Sequence, residues 1–397
     1  MKIAVIGAKG LPPKQGGIEH YCAELYPRIV GRGHTVDLYA RCSYTECGWL
    51  KSYEYQGVNV ISLPGLKTRG IDAFVASALG TTAASSKRYD IIHFHALGPS
   101  IFTYFPRFIT SAKIVVTCQG LDWQRTKWGN FSTRLIQMGE KIAVRFADSI
   151  IVVSEALHSY FLQNYSRKTV YIPNTPAKYG DSDTQFTYGK SLGLIEGRYL
   201  IFLGRLVPEK RPDLLVDAFS NLCPEGWKLV LAGGVSDTQA FTSKLLEKVA
   251  DNPNIIFAGE LRGDRLWEIV RGAGLFVLPS DLEGLPLAML EAMQEGVPVL
   301  ASNIPPHQQL IQGDRGMLFE AGNLESCMNS IYWAINHPQD MVLMAKQAQK
   351  YVELNYSWEQ ITYETLKIYK GLLNYPQTID LNEPCSNSEL AELISKK

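Results

Sequence analysis

Short apolar runs rich in β-branched residues recur along this chain with amphipathic stretches between them, and the rhythm starts twice. KIAVIG (2–7), TVDLYA (35–40), VNVISL (58–63), DIIHFH (90–95), KIVVTC (113–118), SIIVVS (149–154) and TVYIPN (169–174) make the first series. YLIFLG (199–204), KLVLAG (228–233), NIIFAG (254–259), LFVLPS (275–280) and PVLAS (298–302) make the second. Most are apolar on both faces, which a strand tolerates only when helices cover both sides of a parallel sheet. Helical periodicity fills the gaps, as in Glu19–Gly31, Ile71–Ser86, Pro212–Asn221 and Asp237–Ala250. Strand–helix alternation of this kind predicts α/β architecture: two doubly wound, Rossmann-like domains facing a cleft. A length of 397 residues fits two domains.

The boundaries follow from where the rhythm fails. Residues 1–176 are read as the first domain, and the polar stretch around AKYGDSDTQFTYG places a linker at 177–198. Residues 199–355 form the second domain. Asp340–Leu373 reads as helix, with 356–374 crossing back to the first domain and Trp358, Ile361, Leu366 and Tyr369 suited to packing across both. The remainder, 375–397, is a polar, flexible tail.

Charge is uneven. Residues 1–180 hold 21 Lys and Arg against 11 Asp and Glu, a net +10 that the rest of the chain balances. A basic half suits an anionic lipid surface, a phosphorylated acceptor or nucleic acid; the scatter of the cations and the lack of a nucleic-acid motif argue against the last. No leader pattern and no long uncharged apolar run is seen. The seven cysteines include no CxxC, so they read as reduced thiols of a cytoplasmic protein rather than as a zinc site or disulfide frame.

Ligands of doubly wound sheets bind at the carboxyl ends of the strands. After YLIFLG come Arg205 and Lys210; after LFVLPS come Glu283, Gly284 and a helix that opens near Pro286, read as its first residue, with Glu291 on its second turn. Two cations beside a helix N-terminus make an anion trap suited to a diphosphate. A carboxylate at Glu291 can accept from two adjacent hydroxyls, as on a ribose.

GRLVPEKR followed about 70 residues on by EGLPLAMLE resembles the retaining nucleotide-sugar glycosyltransferases of family 4, with Glu283 and Glu291 matching their E-x7-E motif. The resemblance spans nearly the whole chain and includes Ile172–Asn174. It implies the GT-B fold, with the acceptor domain first and the donor domain second. It assigns Arg205 and Lys210 to the donor diphosphate, Glu291 to the ribose and Glu283 to the transferred sugar. Backbone amides of Gly284, Leu285 and Leu287 would support that sugar and its phosphate. It also brings Gly16 and Gly17 to the diphosphate and His95 to the transferred sugar, with His93 left to the core. No metal or other cofactor is implied.

TCQGLDWQRTKWGNFSTR resembles members that include bacterial polysaccharide rhamnosyltransferases, in which HGLDW is common. Gln119 replaces that histidine and cannot take a proton at neutral pH. Gln119, Asp122, Trp123, Arg125, Lys127 and Trp128 are the candidate acceptor wall. Asp181–Asp183 matches a metal-binding D-x-D, but it follows no apolar strand. The expected activity is metal-independent, retaining hexosyl transfer from a nucleoside diphosphate sugar to a saccharide or lipid-linked acceptor, at or near the inner membrane leaflet. The alternatives are a nucleotide-sugar epimerase, an NADP oxidoreductase left open by Arg41, and a sugar-nucleotide sensor. NAD is disfavoured, because the first loop lacks G-x-G-x-x-G and no acid ends the second strand.

Overall fold

The computed structural model describes residues 1–13, 17–45, 47–65, 71–124, 130–234 and 238–374. They form two units: Met1–Asn174 together with the chain from Ser357, and Thr175–Tyr356.

The first unit runs β1 (Lys2–Ile6), α1 (Gly17–Gly31), β2 (Thr35–Arg41), β3 (Ser52–Tyr55), β4 (Val58–Leu63), α2 (Ile71–Ser85), β5 (Ile91–His95), α3 (Tyr104–Ile109), β6 (Lys113–Cys118), α4 (Asn130–Phe146), β7 (Ser149–Val152), α5 (Glu155–Tyr165) and β8 (Val170–Tyr171). The sheet order is β3-β4-β2-β1-β5-β6-β7-β8. Every neighbouring pair is parallel except β3–β4. The hairpin between those two turns on Gln56 and Gly57, with φ of 48° and 83°. Positive φ at both central residues is the type I′ turn, whose twist matches paired strands. β8 is cut to two residues where TVYIPN promised six; Pro173 has no N–H to give a ladder.

The second unit runs α6 (Thr187–Ser191), β9 (Tyr199–Leu203), α7 (Pro212–Leu222), β10 (Lys228–Ala232), α8 (Gln239–Val249), β11 (Ile255–Gly259), α9 (Asp264–Arg271), β12 (Leu275–Leu278), α10 (Leu287–Gln294), β13 (Val299–Ser302), α11 (Pro305–Ile311), β14 (Met317–Phe319), α12 (Leu324–Asn336) and α13 (Pro338–Asn355). Its sheet is wholly parallel, in the order β11-β10-β9-β12-β13-β14. The direction of winding reverses between β9 and β12, so the loops leaving those two strands diverge to opposite faces and leave a crevice at their ends.

The helix expected over 340–373 is two helices. α13 ends at Asn355, and α14 (Trp358–Leu372) begins afresh with Ser357 as its cap, its hydroxyl accepting from the Gln360 N–H. Ser followed three residues later by Gln is a helix-start signal in the sequence. Trp358, Ile361, Leu366 and Tyr369 lie in the core of the first unit with Ile3, Tyr26 and Val36.

His93 and His95 alternate with Phe94 on β5 and turn to one face, where their rings stack at 4.4 Å. The Tyr26 hydroxyl lies 2.7 Å from His95 Nε2 and 3.1 Å from His93 Nδ1. His93 also meets the Tyr369 hydroxyl at 2.5 Å and Thr117 Oγ1 at 2.7 Å. A polar seam thus ties α1, β5, β6 and α14 together inside the core. Burial holds His93 well below the ordinary histidine range and pushes His95 down to about 3. Tyr26→Phe removes a shared partner from two buried rings and should lower unfolding stability by about 1–3 kcal/mol, measured as a shifted urea midpoint at constant slope.

Candidate active site

The crevice of the second unit is built by loops stitched to one another. The backbone N–H of Asp281, after β12, donates to the Glu209 carbonyl, after β9, at 2.9 Å. Arg211 reaches Asp281 at 3.3 Å and Asp213 at 3.2 Å. Gly233, after β10, packs against Gly204: an added Cβ would fall 1.8 Å from the Gly204 carbonyl oxygen, so no side chain fits there. The ends of three adjacent strands are drawn together by these contacts.

Lys210 and Glu283 meet across this junction, Nζ to Oε1 at 2.6 Å, with side-chain exposures of 16% and 11%. The Ser280 hydroxyl donates to the same Oε1 at 2.9 Å. Burial raises the Glu283 carboxyl, but the charge and hydrogen bond of Lys210 outweigh it, and the group sits below its ordinary value. The pair is therefore ionised, and Lys210 is not a bare cation waiting for an anion. Its ammonium still has two further donors. Arg205 follows the same strand and is half-buried.

His307 enters from α11 and was not singled out in the sequence. It is fully buried, and its Nδ1 lies 2.8 Å from the Ser302 carbonyl oxygen. That contact requires the proton on Nδ1, which leaves Nε2 as an acceptor with no hydrogen-bond partner. Burial pushes His307 down to about 4 against the pull of Glu283, so the ring is neutral beside the ion pair. Only a lone histidine after PP marked it in the sequence.

Pro286 is the cap residue of α10 rather than its first helical residue, and its φ of −79° still suits the entry. Gly284 and Leu287 are half-buried and Leu285 is buried at the same entry. Glu291, one turn on, is engaged by a segment expected to be linker. The Tyr179 hydroxyl donates to Glu291 Oε2 at 3.0 Å. The Tyr179 ring stacks on Trp267 at 6.1 Å. Arg271 clamps the strand of chain beyond it, donating to the Gly180 carbonyl at 2.8 Å, to Ser182 Oγ at 2.9 Å and to Glu295 at 2.6 Å. Residues 177–182 are thus part of the second unit, not a free connector. Asp183 accepts from the N–H groups of Gln185 and Thr187, so this acid of the D-x-D is spent on a turn.

In the first unit, His95 ends β5 as expected but is fully buried against Tyr26 and Tyr21. Its alternation on the strand, in phase with His93, packs the ring into the core of the first unit, where its Nδ1 has no hydrogen-bond partner. Gln119 Oε1 accepts from Asn174 Nδ2 at 2.5 Å. Gln119 Nε2 and Asn174 Oδ1 are buried and unpartnered, a donor and an acceptor on two amides that meet beyond the ends of β6 and β8, with β7 between those strands. Asp122 and Trp123 lie half-buried after β6, and the Trp123 indole donates to the buried Glu140 at 2.8 Å. Tyr160 and Tyr165 donate to the other oxygen of Glu140. Trp123 is therefore pinned by a carboxylate that the sequence hid inside an ordinary helix. Gly17 is exposed at the start of α1. Gly16, Arg125, Lys127 and Trp128 lie outside the described residues.

Two α/β units in one chain, each built on a mainly parallel sheet, have the architecture of the GT-B glycosyltransferases. The chain belongs to that class by family as well: the glycosyl transferase 4-like domain matches residues 16–175 and the glycosyl transferases group 1 family matches 189–351. An uncharacterized glycosyltransferase of Methanocaldococcus jannaschii is 24% identical over 93% of this chain and 98% of its own. A D-inositol 3-phosphate glycosyltransferase of Rhodococcus erythropolis is 24% identical over 94% of this chain and 92% of its own. Among solved structures, sucrose-phosphate synthase from Thermosynechococcus elongatus superposes with a TM-score of 0.80 at 20% identity, covering 94% of this chain and all of that one. HepE of Anabaena, in complex with UDP and glucose, superposes with a TM-score of 0.77 at 20% identity, over 94% of this chain and 100% of that one.

Burial raises the Glu291 carboxyl to about 7, although Tyr179 and the Ala177 N–H pull it down. A carboxyl raised in the folded state holds its proton longer than in the unfolded chain, so its contribution to stability falls as pH rises from about 4.5 to about 7. Glu291→Gln should therefore gain stability relative to wild type across that window, read as the difference between paired thermal melts.

Proposed function

We propose that the protein transfers a hexosyl group from a nucleoside diphosphate sugar to a hydroxyl of a saccharide or lipid-linked acceptor, with retention and without a metal. The observation that carries this reading is the Lys210–Glu283 pair, 2.6 Å apart at the entry of α10. Lys210 gives one N–H to Glu283 and has two for phosphate oxygens. Glu283 takes Lys210 and Ser280 on Oε1, which leaves Oε2 to accept from a hydroxyl of the transferred sugar. The backbone N–H groups of Gly284, Leu285 and Leu287 at the α10 entry favour the negative charge that grows on the departing nucleoside diphosphate. Arg205 lies on the same loop as Lys210 and adds to that field.

Glu291, held by Tyr179, is the ribose acceptor in this reading. The complexes of HepE with UDP and with UDP-glucose favour a nucleotide-sugar donor here. On the first unit, the spare donor of Gln119 and the spare acceptor of Asn174 suit one sugar hydroxyl, and Asp122 with the pinned Trp123 suits the rest of the acceptor. Retention follows if the departing phosphate oxygen takes the acceptor proton on the face it leaves.

Lys210→Ala and Glu291→Ala should each cut turnover by on the order of 100-fold or more. The test is a panel of nucleoside diphosphate sugars in EDTA, with product anomers read by NMR. Nucleoside diphosphate released only with acceptor present separates transfer from epimerisation. Wild-type turnover in either variant, or an inverted product, overturns the assignment.

A further inference from the structure

The outward face of α4 carries a chemistry that the transfer reaction does not use. Gly139 sets which face looks out: a Cβ there would lie 2.1 Å from the Leu97 carbonyl oxygen, so the helix backbone presses directly on the loop after β5. Ile136, Gly139, Glu140 and Ala143 consequently face inward, and Phe131, Arg134, Met138, Lys141 and Arg145 face solvent. These five recur at intervals of three and four, which is a single helical stripe. Phe131 is 79% exposed and Met138 46% exposed. The stripe ends in cations and holds no acid; the one acid of the helix, Glu140, is buried under three aromatic donors.

Helix α3 extends the face. Tyr104, Arg107 and Phe108 share one side of it, and Phe108 and Ile109 are 73% and 55% exposed. The two helices join at Phe146, whose ring lies 5.6 Å from Phe108 and 5.6 Å from the Arg145 guanidinium. Arg107 is already paired with Asp148 at 2.7 Å, but the cations of the α4 stripe have no acid among them, and exposed aromatic side chains beside such a row cost free energy in water and gain it at a lipid headgroup boundary.

We infer that α3 and α4 form a membrane-docking face, with Phe108, Ile109 and Phe131 entering the headgroup–acyl boundary and Arg134, Lys141 and Arg145 meeting anionic lipid. Charge selects this occupant over a second copy of the chain, because a symmetric contact would set the same three cations against each other. The inference deepens the lipid-linked acceptor of the proposed function by naming the surface that brings the enzyme to it. It needs no donor, so it stands or falls independently of the transfer site.

The test is co-sedimentation of the full chain with phosphatidylcholine vesicles and with phosphatidylcholine–phosphatidylglycerol vesicles, at low and high salt. Wild type should bind the anionic vesicles only, and salt should weaken that binding. Arg134→Gln with Lys141→Gln and Arg145→Gln should bind on the order of 100-fold more weakly, from three cations near the surface. Phe108→Ser with Phe131→Ser should lose binding while keeping the wild-type melting profile. Equal binding to both vesicle types, no binding by wild type, or full binding by either variant overturns the inference. So does dimerisation of wild type that the Phe108→Ser, Phe131→Ser protein lacks, in the absence of any vesicle binding. UDP-induced stabilisation, measured without vesicles on the same variants, reports the donor site separately.

Discussion

A parallel strand cannot return to its neighbour by a hairpin, and this protein's chemistry depends on that limit. Each return needs a crossover, and each crossover leaves its strand at the same edge of the sheet. In the second unit the limit puts the residues after β9, β10 and β12 within reach of one another, though they are far apart in sequence. The reversal of winding at β9 and β12 then prevents their loops from filling the space. Lys210 and Glu283 are 73 residues apart and form an ion pair because the topology leaves them nowhere else to go.

The site that results is less bare than a list of charges suggests. Lys210 is matched by Glu283, Glu291 by Tyr179 and the Ala177 N–H, and Arg271 by Glu295 and the chain at 180–182. Every charge in this group is partnered and half-buried, which fixes its position at the cost of mobility. A neutral His307 closes the group from behind. If the proposed transfer takes place here, preorganisation of this kind spares the reordering of side chains when charge moves.

The fold was legible because it rests on periodicity: twelve expected runs all lie at strands of the two sheets. What was missed had weaker marks. The edge strand β3 is polar, and the clue to it was the Gln56-Gly57 turn. The break between α13 and α14 was written as a Ser357–Gln360 cap inside a continuous helical pattern. In the second unit, spacing singled out Lys210, Glu283 and Glu291 but not Tyr179 or His307, and in the first unit nothing singled out Glu140. Their roles come from burial and partners, and neither burial nor partners can be read from a residue's neighbours in sequence. His95 shows the same limit: its place at a strand end was legible, but its burial against Tyr26 and Tyr21 was not.

The return of α14 has a consequence for how the chain is made. The second unit is one uninterrupted stretch, Thr175–Tyr356, set inside the first. The first unit's core includes Trp358, Ile361, Leu366 and Tyr369, which are synthesised only after the whole of the second unit. The second unit can finish folding while the first still waits with His93 and Tyr26 lacking the Tyr369 hydroxyl. Birth order and folding order are therefore reversed between the two halves: the part synthesised first is the part completed last.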